Sequence, residues 1–393
     1  MPTAVLDLDL DALPPTIDGL EGCDSALALL RVDGRPAGQA VLPVVDGRLP
    51  GDDLRTTLLA AADSAFWEAW LRAHLGERPA PVAPASLPRA TVAVCTRDRT
   101  DDLRRCLAAL EAMPDDGQEL VVVDNAPATE STRELVAEHP RVRYVREERP
   151  GLDVARNRAL REARHDVVAF TDDDAAPDPR WLRTLLRNFD DPLVMAAAGA
   201  TMALELETDA QVHFQRYGGF VRGFRRVVYD GGRHDPLLGW HAGAGVNMAL
   251  RRSVVDAVGP FDEALDAGTP THAGGDSDMF RRILAAGWRI VYDPEALNWH
   301  RHRRTDAELL RQLHGYERAG FAILARSLLY EGNLDALRHA WQWLRRELPG
   351  LRRALREPAG SASRDTTLAR LRGAVQGPRA YVQAHRRVRR EAP

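Results

Sequence analysis

The chain has 393 residues, 45% of them hydrophobic, and a formal net charge of −4, which predicts two or three domains with sizeable cores. All 53 basic residues are arginine, and this excludes a Walker-type phosphate loop and a pyridoxal Schiff base, because both need a lysine amine. Three cysteines without paired spacing predict a reducing compartment and no structural zinc.

The first segment, residues 1–75, predicts a small α+β unit. Its acidic start lacks a basic region ahead of an apolar one, so we expect no signal peptide and a cytoplasmic protein. Two strands, 26–32 and 39–44, flank a DGRP turn, and apolar residues at helical spacing predict one helix over 52–75. Residues 76–90, rich in Pro and Ala, predict a stiff linker.

From residue 90 onward, short apolar strands alternate with helices. The predicted strands are 91–96, 120–124, 142–145 and 167–171, and helices follow them from Thr100, through Leu135, over 154–163 and from Asp178. Strands that are apolar throughout are typical of a parallel sheet covered on both faces. We therefore predict an α/β domain over 91–304.

After residue 190 the alternation loosens. We expect helices at 253–258 and 278–287 and a strand at 289–292. A capping box formed by Thr305 and Glu308 opens a helical region, 305–393, that is interrupted by Pro349, Pro358 and Pro378.

The C-terminal region is strongly basic. Residues 301–393 hold 20 Arg against 9 Asp and Glu, whereas the preceding part of the chain is acidic. We favour docking of this region onto the acidic body, within the chain or across a homodimer. The alternative is peripheral contact with an anionic membrane surface through the arginines, Trp341 and Trp343. An acidic body with few interleaved aromatics predicts no nucleic-acid partner.

Polar side chains follow the predicted strands. In an open parallel sheet, ligands bind beyond the carboxyl ends of the strands. No glycine-rich fingerprint follows the first strand, which argues against a dinucleotide-dependent dehydrogenase. The residues expected at this rim are Thr96, Arg97 and Arg99, then Asp124, then Arg156 and Asn157, and finally Asp172, Asp173 and Asp174.

Three consecutive carboxylates end the fourth strand. Because they repel one another, a divalent cation such as Mn²⁺ or Mg²⁺ is the expected partner. Alternate residues of an extended segment face the same way, so Asp172 and Asp174 are predicted to face the rim while Asp173 points elsewhere. The alternative is a turn that caps the helix opening at Asp178.

Two later motifs carry further candidates. In GGDSD, Asp276 precedes an apolar helix and is predicted to reach the rim as a general base, the alternative being a helix cap. In WHRHRR, His300 and His302 are candidate metal ligands and the arginines candidate phosphate ligands. The alternative for this second motif is an ordinary solvated basic turn.

Taken in order, these motifs resemble those of the family 2 glycosyltransferases, which are inverting enzymes of the GT-A fold. The resemblance runs from residue 90 to residue 320 and rests on VAVCTRDR, VVVDN, PGLDVARNRAL, FTDDDAAPDPRWL, GGDSDMFRR and WHRHRR. It implies a mostly parallel Rossmann-like sheet with helices on both faces, a nucleoside-diphosphate-sugar donor, a hydroxyl acceptor and Mn²⁺ or Mg²⁺. The N-terminal unit and the helical tail lie outside it.

The resemblance also implies roles for single residues. Asp276 matches the base that deprotonates the acceptor hydroxyl. Asp174 matches the direct metal ligand, with Asp172 nearer the ribose or donor sugar and His300 or His302 reaching the metal or diphosphate. The residues implied to bind the nucleotide sugar are Thr96, Arg97, Arg99, Asp124, Arg156, Asn157, Asp172 and Asp173.

One departure from the family pattern keeps alternatives open. The family often has Glu-Asp where this chain has Gly275 and Asp276, so that Asp278 is a second candidate for the base. The main alternative function is therefore an inactive sugar-nucleotide-binding protein. A nucleotidyltransferase is less favoured, because its glycine-rich, lysine-containing signature is missing.

Overall fold

The computed structural model describes residues 2–49, 54–77, 86–358 and 361–391. Part of the predicted linker at 76–90 therefore lies outside the described residues. The N-terminal unit contains a three-stranded sheet in the order β1-β2-β3, with β2 parallel to β1 and antiparallel to β3. Its strands are β1 (Thr3–Asp9), β2 (Ser25–Val32) and β3 (Arg35–Pro43).

Two features of this unit differ from the prediction. The first strand, β1, was not expected, although its alternating TAVLDLD sequence is typical of a half-buried strand. The single helix predicted over 52–75 is wrong, because α1 (Leu54–Ala61) and α2 (Ser64–His74) are separate. The Asp63 side chain accepts a hydrogen bond from the Phe66 backbone N–H at 2.9 Å and so caps α2.

The predicted alternation after residue 90 is confirmed. Four parallel strands lie in the order β6-β5-β4-β7. They are β4 (Ala90–Thr96), β5 (Glu119–Asn125), β6 (Val142–Glu147) and β7 (Val167–Asp172). The helices between and after them are α3 (Thr100–Glu111), α4 (Ser131–Ala137), α5 (Leu152–Glu162) and α6 (Trp181–Leu186). Two separate hydrophobic clusters cover the faces of this sheet, as an α/β fold requires.

Beyond β7 the same sheet continues with mixed strand directions, in the order β7-β11-β9-β12-β10, and β8 also pairs with β12. These strands are β8 (Ala175–Pro177), β9 (Val194–Ala203), β10 (Val227–Asp230), β11 (Asn247–Arg251) and β12 (Arg289–His300). The helices here are α7 (Asp209–Tyr217), α8 (Val254–Val258) and α9 (Gly275–Ala285). Only the start of β12 was predicted, and it extends eight residues further, to His300.

The N-terminal sheet packs on this extension. Leu27 and Leu29 of β2 share a hydrophobic cluster with Met202 of β9 and Leu297 of β12. An ion pair of 2.7 Å joins Arg31 to Asp178, at the start of the segment leading into α6. The unit is thus attached both by apolar burial and by a largely buried ion pair.

Three long helices complete the structure: α10 (Asp306–Glu331), α11 (Asp335–Ala354) and α12 (Ala362–Glu391). The predicted capping box at Thr305 and Glu308 is confirmed. Pro349 and Pro378 do not interrupt the helices as predicted, since each lies inside one. Among the described residues, no helix is both long and apolar enough to span a lipid bilayer.

Candidate active site

The strand registers bring the predicted rim residues into one row. Thr96 of β4 lies opposite Asp124 of β5, and Cys95 lies opposite Asp172 of β7. These are the last residues of parallel strands or their direct neighbours, so their side chains share the carboxyl edge of the sheet.

Asp172, Asp174 and His300 form a cluster at this edge. One ligand atom from each lies within 4.8 Å of the others. His300 reaches the cluster because the end of β12 pairs with β8, which starts directly after Asp174. Its Nε2 lies 3.0 Å from Asp174 Oδ1. Two carboxylates and an imidazole are a donor set that suits Mn²⁺ or Mg²⁺.

The electrostatics of the cluster are asymmetric. Burial and the Asp174 charge raise the pKa of Asp172. Burial also acts to raise the pKa of Asp174, but His300 and Arg99 outweigh it and hold that pKa well below its usual range. The Asp174 carboxylate likewise raises the pKa of His300, although burial opposes this. Asp174 is therefore the carboxylate kept ionised within the cluster.

Asp173 points away from this cluster, as the alternation predicted. It accepts hydrogen bonds from the Thr96 hydroxyl at 2.7 Å and from Arg99 at 2.6 Å. Arg99 also donates to Asp174 at 2.8 Å. Burial raises the pKa of Asp173 to about 7 even though Arg99 opposes it. Arg97, by contrast, is about half exposed and lies 3.9 Å from Asp98.

Asp124 is fully buried at the end of β5. One of its oxygens accepts a 2.9 Å hydrogen bond from the Tyr144 hydroxyl. The other, Oδ1, has no hydrogen-bond partner among the described residues. Burial raises the pKa of Asp124. An unsatisfied buried carboxylate oxygen is costly, so a ligand group that donates to it would be bound favourably there.

Arg156 and Asn157 are both buried in α5. Arg156 donates to Asp153 at 3.0 Å and to Asp266 at 2.7 Å. Asn157 bonds to the backbone of Phe261 on both its donor and acceptor sides. These contacts fasten the loop that precedes α9, and the nucleotide contact implied for the two residues remains a prediction.

Asp276 lies in the first turn of α9 and is partly exposed. Its carboxylate accepts backbone hydrogen bonds of 2.6 Å from Gly245 and from Ser277. Gly245 lies just before β11, whose Asn247 is paired with Thr171 at the end of β7. The bond to Gly245 therefore anchors Asp276 at the same edge as Asp172.

The alternative base, Asp278, is ruled out by its contacts. It is fully buried, and its oxygens pair with Arg281 and Arg282 at 2.9 and 2.8 Å. Burial acts to raise the pKa of Asp278, but Arg282, Arg281 and Arg326 lower it to about 2. A carboxylate bound in this way cannot reach a substrate hydroxyl.

Position 275, where the family pattern often has an acidic residue, is glycine in this chain, and a carboxylate from another helix lies beside it. A Cβ added to Gly275 would lie 2.0 Å from Asp153 Oδ2, so the Asp153 carboxylate fills the space beside the start of α9. Asp153 is fully buried, and burial raises its pKa well above the usual range. The structure thus explains why glycine precedes Asp276.

His302 does not join the cluster. Its Nε2 lies 3.2 Å from the Gln215 side chain, its ring packs edge-on against Phe214, and burial lowers its pKa to about 3. Of the two predicted histidines, only His300 is brought to Asp172 and Asp174.

Several contributors were missed or left unspecified by sequence reasoning. Arg303, predicted only as one of several phosphate-binding arginines, lies 3.5 Å from Asp174. Tyr144 could have been found, because it pairs with Val122, two residues before Asp124, and so lies on the same face of the sheet as Asp124. Asp266 had no signal at all, since it lies in a loop and reaches Arg156 only through the fold.

Comparison with known proteins finds one matching family and several similar proteins. Residues 91–259 match the family described as Glycosyl transferase family 2. The chain is 30% identical over 230 residues to the pre-mycofactocin glycosyltransferase of Mycobacterium tuberculosis, spanning 57% of this chain and 45% of that protein. It is 29% identical over 217 residues to the succinoglycan biosynthesis protein ExoM of Rhizobium meliloti, spanning 52% of this chain and 64% of that protein.

Two further similarities come from archaea. Glycosyltransferase AglE of Haloferax volcanii is 22% identical over 237 residues, or 58% of this chain and 71% of that protein. A solved structure, the mannosyltransferase PcManGT of Pyrobaculum calidifontis in complex with GDP-Man and Mn²⁺, aligns with a TM-score of 0.48 and 20% identity, covering 79% of this chain and 93% of that one. The chain spans about half the length of the Mycobacterium tuberculosis relative.

Proposed function

We propose that the chain, whose residues 91–259 match glycosyl transferase family 2, is an inverting, metal-dependent glycosyltransferase. It would move a sugar from a nucleoside diphosphate to a hydroxyl acceptor. The observation that carries the proposal is the arrangement at one edge of the sheet. There, Asp172, Asp174 and His300 cluster, and the Gly245 backbone holds Asp276 at the same edge.

The donor would lie across the ends of β4, β5 and β7. Asp124 offers an unpartnered carboxylate oxygen to an N–H group of the nucleobase. Arg99 and Arg303 carry positive charge to within 2.8 and 3.5 Å of Asp174, so the diphosphate would meet cationic side chains there. Asp172, Asp174 and His300 would hold Mn²⁺ or Mg²⁺, which would neutralise charge on a leaving diphosphate.

Asp276 would act as the general base. Its carboxylate is partly exposed and is oriented by two backbone N–H groups. It would accept the proton of the acceptor hydroxyl while the hydroxyl oxygen bonds to the anomeric carbon and the bond to the diphosphate oxygen breaks. Attack from the side opposite the leaving group inverts the anomeric centre in one displacement.

The proposal is tested by thermal unfolding with UDP, GDP, dTDP, CDP or ADP, each with and without Mn²⁺. We expect one nucleoside diphosphate to raise Tm only with the ion, since ligand at one hundred times Kd stabilises the native state by about 2.7 kcal/mol. The matching sugar nucleotide should then be consumed when an acceptor is supplied. Stabilisation without any turnover would identify an inactive binding protein, and no stabilisation by any of the five would contradict the proposed donor site.

A further inference from the structure

Helix α11 carries a row of exposed apolar side chains, which we call the α11 apolar row. It consists of residues that are 37% to 71% exposed: Leu334, Leu337, Trp341, Leu344 and Leu348, each three or four positions from the next, and Leu355, seven positions further on. Leu334 and Leu355 are the cap residues at the two ends of the helix. This spacing places them on one side of the helix. An exposed strip of this length is not explained by the scatter of single apolar residues found on every protein surface.

The opposite side of α11 is already packed against the protein. Ala336 and Ala354 are buried. The ring of Trp343 lies 4.9 Å from that of Phe321 in α10, and Glu347 pairs with Arg370 of α12 at 2.9 Å. The helix is therefore held in place by its inner side, and this fixes the direction in which the apolar row faces.

Arginines accompany the apolar row along its length. Arg338 and Arg345 directly follow Leu337 and Leu344 of the apolar row, and Arg352 lies seven residues beyond Arg345. The three arginines therefore form a second row beside the first. Within the part of the chain that the structure describes, Arg345 and Arg352 have no ion-pair partner, whereas Arg338 pairs with Asp335 and Asp235. Unpaired positive charge next to exposed leucine and tryptophan indicates an anionic, apolar partner.

A second copy of α11 fits this surface poorly. Leucines at alternating spacings of three and four residues are typical of a coiled-coil seam, whose flanking positions determine which helix can pair. One flank is the arginine row. The other flank, Ala340, Glu347 and Ala354, is turned toward the chain's own helices. Two copies paired through the seam would bring arginine rows together without compensating carboxylates.

We propose that α11 docks the protein onto an anionic lipid membrane. The leucines and Trp341 would enter the boundary between headgroups and acyl chains, and the arginines beside them would contact lipid phosphates. Helices that lie in the membrane surface have this division between apolar and basic residues. The proposal is independent of the donor site, because no residue of the sheet edge takes part in it.

The experiment is flotation of the full chain with phosphatidylcholine vesicles, with and without phosphatidylglycerol, at low and high salt. Three variants are compared with wild type. One removes the apolar side chains (Leu337→Ser, Trp341→Ser and Leu344→Ser), and one removes charge beside them (Arg345→Gln with Arg352→Gln). The matched control removes two exposed arginines of α12 (Arg386→Gln with Arg390→Gln).

We expect wild type and the α12 control to float with phosphatidylglycerol vesicles at low salt and to be released by high salt. Both α11 variants should partition at least about tenfold more weakly, because one loses apolar side chains that enter the membrane and the other loses two arginines that contact lipid phosphates. All substituted side chains are exposed, so Tm should change little. Absence of flotation overturns the proposal, as does loss in the α12 control alone. A dimer in solution that dissociates when the apolar row is removed would assign the surface to a second copy instead.

Discussion

Two clusters of carboxylates and cations in the chain behave differently. The cluster at the sheet edge contains Asp172, Asp174 and His300, and Asp174 also pairs with Arg99 and Arg303. The core cluster contains Asp278, Arg281 and Arg282 of α9 and Arg326 of α10. Both are largely buried, and both combine acidic and basic side chains.

The difference lies in whether the charges are already satisfied. In the core cluster, the two oxygens of Asp278 are enclosed by three guanidinium groups, and Glu331 and Asp262 balance the arginines from outside. At the edge, cations hold the pKa of Asp174 low, whereas burial and the neighbouring Asp174 charge raise the pKa of Asp172. A satisfied cluster stabilises the fold, whereas an unsatisfied one is prepared for a ligand.

The largest effect is expected from Asp276→Asn. In the sequence Asp276 is two residues from Asp278 of the core cluster, but its side chain lies at the edge of the sheet. The amide cannot accept the acceptor proton, so transfer should fall by roughly 10²- to 10⁴-fold. The donor-induced change in Tm should persist, because the proposed nucleotide contacts are made by other residues. Initial rates and thermal shifts measure the two separately, and near-normal rates would remove Asp276 from the base role.

Asp278→Asn should instead lower the free energy of unfolding. Removing one partner of a buried ion cluster costs about 3–5 kcal/mol, because the remaining charges are left uncompensated. Denaturant unfolding measures this loss. Asp256→Asn, in the short helix α8, is the matched control, since this aspartate is not fully buried. Equal stability of the two variants would show that the core cluster does not stabilise the fold.

Asp174→Ala should remove the metal-dependent part of donor binding. The increase in unfolding free energy produced by nucleotide plus Mn²⁺, about 2.7 kcal/mol at one hundred times Kd, should disappear. The exposed Asp101→Ala, in α3, serves as control and should retain it. An undiminished response to Mn²⁺ in the Asp174 variant would place the ion elsewhere.

The smallest effect is expected when the pH is lowered. The pKa of Asp278 is about 2 in the folded chain, below the roughly 3.9 of an unfolded aspartate, so its contribution is present above pH 4 and is lost as pH falls through the folded value. The stability difference between wild type and Asp278→Asn should shrink by about 1 kcal/mol from pH 6 to pH 3. A difference that grows on acidification would mean that the folded pKa is raised instead.

The parts of the fold that sequence predicted are those with strong local signals. The four parallel strands are continuous apolar runs, and the capping box at Thr305 is a side-chain pattern that acts within one turn. By contrast, no local signal predicts β9, because its alanines favour helix. Its strand conformation comes from neighbours, as Gly199 shows. A Cβ there would lie 1.9 Å from the Ala296 carbonyl of the adjoining β12.

The same reasoning separates what could be predicted of the site. Asp172, Asp174 and Asp276 stand out because carboxylates at a strand end or beside glycines are conspicuous in the sequence alone. The distinction between His300 and His302 could not be predicted, because it depends on long-range contacts. Gln215 and Phe214 contact the His302 ring, whereas Asp174 pairs with His300. Contacts between residues that are far apart in the sequence thus distinguish two histidines that look equivalent in the sequence alone.

The loop that contains Asp262 and Asp266 makes contacts that can form only at different stages of protein synthesis. Asp262 accepts hydrogen bonds from Arg326 of α10 at 2.9 Å and from Tyr381 of α12 at 2.7 Å. Four residues later the same loop supplies Asp266 to Arg156. A ribosome delivers Tyr381 more than two hundred residues after Arg156, so the loop beside Asp276 acquires this anchor long after the strands of the sheet have been synthesised.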